Sequence, residues 1–127
     1  MNNTAPTANC PFCISNNLLK GEVLARSGGA YLAQTKSSPD NYLIIPIGHV
    51  ESPLVLSDTW WHEVKELLIQ TPHVADNYNI SLNIGAHAGQ SIKHLHFWII
   101  PRMAGKPTSG KGLARLIKEV DASNISP

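Results

Sequence analysis

The stretch Gly89-Gln90-Ser91-Ile92-Lys93-His94-Leu95-His96-Phe97-Trp98-Ile99-Ile100-Pro101-Arg102 decides how this chain is read. From Ile92 to Ile100 it is rich in β-branched and aromatic residues, and it reads as a strand. Successive side chains of a strand point to opposite faces. His94, His96 and Trp98 therefore share one face, and Leu95, Phe97 and Ile99 share the other. The second face is uniformly apolar and has to pack on a core. The first holds two imidazoles side by side on a rigid element, as a nucleophilic or metal-binding histidine requires. The loop before it weighs against a merely solvated sheet face. Gly89 allows close backbone approach, and the N–H groups around it can form an anion-binding concavity. Gln90 and Ser91 add neutral donors, and Asn83, one strand earlier, can add another. Neutral donors suit a phosphate that develops charge during transfer.

Working outward, Glu22–Arg26 and Ala30–Lys36 read as two short strands joined by the turn Ser27-Gly28-Gly29. Ser37-Ser38-Pro39-Asp40-Asn41 is a second turn, and the apolar run Tyr42–Ile45, stopped by Pro46, reads as a buried strand. The spacing of Trp60, Trp61, Val64, Leu67 and Leu68 predicts one long helix over Asp58–Thr71, with Ser57 as its cap and Pro72 as its stop. The tryptophan pair reads as core or subunit interface rather than as a ligand site. Ile80–Ile84 is a further strand, separated from Ile92–Ile100 by Gly85-Ala86-His87-Ala88-Gly89. Gly112–Val120 reads as a short terminal helix. Strands, a helix and more strands imply an α+β domain on an antiparallel sheet. No repeat or second domain is visible, so residues 1–127 read as one domain, with 1–9 as an N-terminal tail and 103–127 as a C-terminal extension.

Composition narrows the classes of function. The 127 residues are 43% hydrophobic and 15% charged, with a formal net charge of +1. That balance fits one globular core and offers no electrostatic case for a nucleic-acid or membrane partner. Arg102, Lys106, Lys111, Arg115 and Lys118 fall late in the chain and read as a solvated tail. No segment approaches the ~18 consecutive apolar residues of a membrane helix, and Met1–Asn9 lacks the layout of a secretory signal. A cytoplasmic protein is expected. Cys10 and Cys13 form a lone C-x-x-C, which in a reducing compartment reads as half of a metal site or as a redox pair.

Taken together these segments resemble the histidine triad (HIT) superfamily. Asn83-Ile84-Gly85 through Gly89-Gln90-Ser91 to His94-Leu95-His96-Phe97-Trp98-Ile99-Ile100-Pro101-Arg102 is similar to the glycine-rich stretch and alternating histidines of that signature. Cys10-Pro11-Phe12-Cys13 resembles the opening of many of its members, and Leu43-Ile44-Ile45-Pro46-Ile47-Gly48-His49 their Leu-φ-φ-Pro-x-x-His segment, where φ is apolar. The resemblance spans residues 10 to 102. It implies an antiparallel sheet with a long helix, dimerised through helix and strand. It implies His96 as a nucleophile on the α-phosphate of a nucleoside phosphoramidate or (di)nucleoside polyphosphate, with Asn83, Gly89, Gln90, Ser91 and Trp98 around the phosphate. It further implies a structural zinc on Cys10, Cys13, His49 and His94, and no organic cofactor. His62, His73 and His87 read as exposed.

Three departures from the pattern stand out. Trp98 occupies the third histidine position, and Asp40-Asn41 stands where Gly-His is common before Leu-φ-φ-Pro. The acidic or amide residue that holds ribose hydroxyls has no clear counterpart in Gln34-Thr35-Lys36-Ser37, which leaves Asp40 or Gln34 as candidates. Galactose-1-phosphate uridylyltransferases, distant relatives, also lack the third histidine. The expected function is a nucleotide hydrolase or transferase. The alternative is a zinc-stabilised module that binds nucleotide or protein without turnover. A nucleic-acid binder would need a basic stripe with interleaved aromatics, and none is visible.

Overall fold

The computed structural model describes residues 6–74 and 76–123. The ends of the expected tail and extension, residues 1–5 and 124–127, lie outside the described residues. Among the described residues five strands form one antiparallel sheet: β1 (Gly21–Arg26), β2 (Ala30–Thr35), β3 (Tyr42–Pro46), β4 (Tyr78–Leu82) and β5 (Phe97–Pro101). Their order is β1-β2-β3-β5-β4, so β1 and β4 are the edges. Two helices follow the sheet segments, α1 (Trp60–Ile69) and α2 (Leu113–Ser123). The α+β antiparallel architecture is the one expected from the sequence.

The sheet carries a core on each face, and side-chain parity decides which residue joins which. Ala30, Leu32, Tyr42, Ile44, Leu95, Phe97 and Ile99 pack with Trp60, Val64 and Leu67 of α1. The alternate residues Tyr31, Ala33, Leu43 and Ile45 pack with Cys10, Phe12 and Cys13 of the N-terminal segment. Strands β2 and β3 are covered on both sides, which accounts for their unbroken apolar runs. At β1 the register shifts between Val23 and Ala25, a bulge of the kind that blunts an edge. At its start, a Cβ on Gly21 would fall 2.0 Å from the Gln34 carbonyl oxygen, so only glycine lets the two backbones approach there.

Several element boundaries differ from expectation. The run predicted as a strand from Ile92 is paired only from Phe97, and residues 92–94 bend. The ladder with β3 stops at Ile44↔Phe97, two residues before Pro46, which has no N–H to continue it. Leu95 N–H donates instead to the Val50 carbonyl at 2.7 Å. His94 and His96 thus precede the strand, yet the alternation persists: Leu95 is fully buried in the α1-side core. Helix α1 begins at Trp60, two residues late, because Ser57 Oγ bonds Thr59 Oγ1 at 3.1 Å and makes no cap to a backbone N–H. Of the tryptophan pair, Trp60 is buried on Phe97, whereas Trp61 is exposed. The second helix, at 11 residues, is slightly longer than α1 at 10.

The late basic residues are not a uniform solvated tail. Arg102 N–H groups donate to Asn79 Oδ1 and to the carbonyls of Thr108 and Lys111, pinning the loop before α2 to the β4 edge. Lys111 and Arg115 both pair with Glu119, at 3.0 and 3.1 Å. Among the described residues, no helix is long and apolar enough to cross a membrane.

Because Leu95 is fully buried between β5 and α1, Leu95→Ala is expected to cost about 2–5 kcal/mol. Urea denaturation of the two proteins measures it, and a loss below about 1 kcal/mol would contradict this account of the core.

Candidate functional site

Three segments meet on the face of the sheet opposite α1: the N-terminal Cys10–Cys13, the turn after β3 that carries His49, and residues 94–96 before β5. The N-terminal segment is held by a buried contact from the sheet. Tyr31 of β2, fully buried, donates its hydroxyl to the Phe12 carbonyl at 2.6 Å. Burial raises the Tyr31 pKa further and keeps it a donor. Asn16 Nδ2 closes the segment by donating to the carbonyls of Thr7, at 2.8 Å, and Cys10, at 3.1 Å.

His94 is the joint between these segments. Its Nε2–H donates to the Pro46 carbonyl at 2.7 Å, which leaves Nδ1 as the lone-pair atom. That Nδ1 lies 3.5 Å from Cys10 Sγ and 3.5 Å from Cys13 Sγ. Cys13 Sγ is also 3.3 Å from His49 Nδ1 and accepts the Thr7 N–H at 3.4 Å. All four ligand atoms fall within 4.8 Å of one another, and the set forms a candidate metal site. The sulfur-to-nitrogen separations match the edge of a tetrahedron with bonds of ~2.3 Å to sulfur and ~2.0 Å to nitrogen. The donor at Nε2 is the outer contact that fixes a ligating histidine's tautomer.

The electrostatics keep the His94 ring neutral at pH 7, with its Nδ1 lone pair available. Burial pushes the His94 pKa down to about 4, and His49 and His96 add to the effect against the opposing Pro46 carbonyl. Burial raises the Cys13 thiol, with neighbouring Cys10 in the same direction and the Thr7 N–H opposing. A bound cation would reverse the second effect by favouring the thiolate.

His96 is oriented by the same chain. Its Nδ1–H donates to the His94 carbonyl at 2.7 Å, so Nε2 carries the free lone pair. Burial lowers its pKa, with the His94 carbonyl opposing, and the ring stays neutral at pH 7. Phe12 packs edge-on at 4.8 Å and Trp98 at 6.1 Å. His96 lines a cavity of about 460 Å³ with Ser91, Leu43 and Trp98.

The other expected phosphate residues are arranged less simply. Gly89 is left-handed, with φ of +94°, and Asn83 Nδ2 lies 3.4 Å from where its Cβ would stand. These two sit together outside the His96 cavity. Gln90 Oε1 accepts the Gly85 N–H at 2.8 Å and its Nε2 donates to the Glu51 carbonyl at 3.5 Å, so its amide closes its own loop. Neither candidate for a ribose-holding residue lines this cavity: Gln34 Nε2 donates to the Pro39 carbonyl, and Asp40 lines a separate cavity beside Arg102. Sequence reasoning passed over Tyr31, whose only signal was a hydroxyl in the apolar run Ala30–Ala33, buried throughout. His62, His73 and His87 are exposed, and His62 pairs with Glu66 at 3.2 Å.

The two-faced antiparallel sheet and the conjunction of His94 with His96 define a histidine triad-like protein. The family described as "Protein similar to CwfJ C-terminal" matches residues 1–104, and the chain belongs to it and to the histidine triad superfamily. A hypothetical histidine triad nucleotide-binding protein from Sulfolobus tokodaii is 32% identical over 76% of this chain and 71% of its own, with a TM-score of 0.63. A Hit-like protein involved in cell-cycle regulation from Bartonella henselae is 23% identical, covering 80% and 85% of the two chains at a TM-score of 0.64. A zinc-bound histidine triad family protein from Mycobacterium smegmatis is 18% identical, covering 91% and 97% at 0.63. The last two show the shared fold alone. No curated protein matches the sequence.

Tyr31→Phe is expected to lower stability by about 1–2 kcal/mol, because it strands the buried Phe12 carbonyl. Chemical denaturation measures this, and an unchanged midpoint would mean that the N-terminal segment is held without the hydroxyl.

Proposed function

We propose that the chain acts on the α-phosphate of a nucleoside phosphoramidate or (di)nucleoside polyphosphate, as a hydrolase or transferase with His96 as nucleophile. The observation that carries this reading is the orientation of His96. Its Nδ1–H is committed to the His94 carbonyl, and its neutral Nε2 is free beside a cavity. A neutral imidazole so placed divides one displacement into two. In the first, the Nε2–phosphorus bond forms as the bond to the leaving group breaks, and the leaving group departs with the electron pair and takes a proton from solvent. In the second, water or an acceptor hydroxyl attacks the same phosphorus and yields its proton to solvent. The nitrogen–phosphorus bond then breaks, restoring neutral imidazole. Ser91, which lines the same cavity, is assigned to the phosphate, with Asn83 and the backbone at Gly89 assisting from the adjoining loop.

Cys10, Cys13, His49 and His94 suit zinc, since two thiolates with two imidazoles select it over harder cations. With four protein ligands the ion would be structural, tying the N-terminal segment to the residues that orient His96. Two buried free thiols suit the reducing cytoplasm, where we place the protein. A homodimer is supported by the β4 edge, which pairs with no further strand among the described residues and leaves Tyr78 and Ile80 partly exposed, and by Trp61 and Ile69 on α1.

A second reading rests on Trp98 and Gln90. Trp98 stands at the third histidine position, and losing one preorganised donor costs about two to three orders of magnitude in rate. Gln90 is engaged within its own loop. Both observations favour a nucleotide-binding module with slow or no turnover.

Single-turnover assays with adenosine and guanosine phosphoramidates and diadenosine polyphosphates separate the readings. An acid-labile nucleotidyl-enzyme is expected on quenching, and His96→Ala is expected to abolish it and lower turnover by about a thousandfold or more. Nucleotide binding without adduct or turnover would establish the binding module instead. Elemental analysis is expected to find one zinc per chain, lost on Cys13→Ser with a fall in melting temperature. Metal-free protein purified under reducing conditions would remove the zinc assignment.

A further inference from the structure

The cavity that holds His96 has two chemically different ends. His96 and Ser91 mark one. Its walls are apolar, chiefly Phe12, Leu19, Leu43 and Trp98. The far end is formed by Thr35, Lys36, Ser37 and Lys20. The strand register gives the separation. Trp98 pairs with Leu43 and Leu43 with Ala33. His96 lies two residues to one side of that row and Thr35 two residues to the other. At ~3.3 Å per residue and ~4.8 Å per strand, the two ends are ~13 Å apart along the strands and ~10 Å apart across them. That is ~16 Å between backbone positions, enough to hold a nucleotide once side chains extend from each end.

The far end is cationic and uncompensated. No aspartate or glutamate lines the cavity, and neither lysine belongs to an ion pair among the described residues. The two lysines are also neighbours: Lys36 N–H donates to the Lys20 carbonyl at 3.0 Å, one step beyond the Gly21↔Thr35 pair. The bare Gly21 permits this close approach of β1 to β2. Like charges on adjacent strands repel, and an anion placed between them converts that repulsion into attraction.

The donor inventory selects the kind of anion. A ribose hydroxyl held through its own hydrogen needs an acceptor, and a lysine ammonium offers donors only. The hydroxyls of Thr35 and Ser37 suit a sugar, with Thr35 Oγ1 and Ser37 Oγ 3.3 Å apart. The ammonium groups beside them suit phosphate oxygens. The flat apolar walls, Trp98 among them, suit the base. We therefore propose that Lys20 and Lys36 make the site selective for nucleotides that carry a second phosphoryl group on a ribose hydroxyl, with the α-phosphate at His96. This rests on the nucleotide reading above and narrows it to one substrate class.

Calorimetric titration of the full chain at low salt tests it, with adenosine and guanosine 5′-monophosphates, their 2′,5′- and 3′,5′-bisphosphates and a 5′-phosphorylated dinucleotide as probes. One or both bisphosphates are expected to bind roughly tenfold more tightly than the monophosphate. The gain is expected to disappear in the Lys20→Gln/Lys36→Gln double variant and to persist in Lys118→Gln, a lysine on α2 away from the cavity. A matching gain for the dinucleotide would support the proposal with a phosphodiester as the source, and a gain confined to the bisphosphates would support it with a terminal phosphate. Monophosphates binding as tightly as every other probe would overturn the selectivity alone. So would a gain that survives the double variant. Absence of binding by all probes would overturn the nucleotide reading itself.

Discussion

The hydrogen bond from His94 Nε2 to the Pro46 carbonyl is the contact on which the rest of the site depends. It spends one ring nitrogen on the end of β3 and so turns the other toward Cys10 and Cys13. The His94 carbonyl in turn receives His96 Nδ1–H. One residue thereby sets the tautomer that faces the two cysteines, closes the N-terminal segment onto the sheet and orients the neighbouring imidazole. The bond exists because β3 ends in proline. Pro46 has no N–H with which to extend the ladder, and its carbonyl is left for a side chain.

The two-sided sheet supplies the rigidity that this arrangement needs. Leu95 and Phe97 lock the segment from the α1 side, while the opposite side chains emerge among Cys10, Phe12 and Cys13. A histidine pair on a solvated face would be free to rotate. Here Phe12 stands edge-on to both rings, and Tyr31 holds Phe12 in place from beneath. The candidate metal ligands, the orientation of His96 and core packing are therefore coupled through one short N-terminal segment.

Trp98 marks where this chain departs in kind from the histidine triad pattern. It pairs with Leu43 and Ser81 across the neighbouring strands and forms part of the apolar wall of the His96 cavity. It places apolar surface where the histidine triad pattern has a third histidine. At the far end, lysines and hydroxyls stand without a carboxylate. The cavity is thus apolar in its walls and cationic at its rim, a combination suited to a flat base bearing anionic groups.

The sequence by itself determined the strands and the parity of their side chains, because a two-residue period is a local property, whereas the four metal-ligand candidates came through the resemblance to the histidine triad family. Leu95, Phe97 and Ile99 could be assigned to the core from alternation alone, and His94 and His96 to the other side. Only the tertiary structure decided where β5 begins, since that depends on whether Pro46, far away in sequence, offers an N–H opposite it. Only the fold, likewise, engaged Gln90 with Gly85 and Glu51, recruited Tyr31 to Phe12, and carried Asp40 to a different cavity from Lys20 and Lys36. Hydrogen-bond partners and shared cavities join residues dozens of positions apart, and no local pattern encodes that distance.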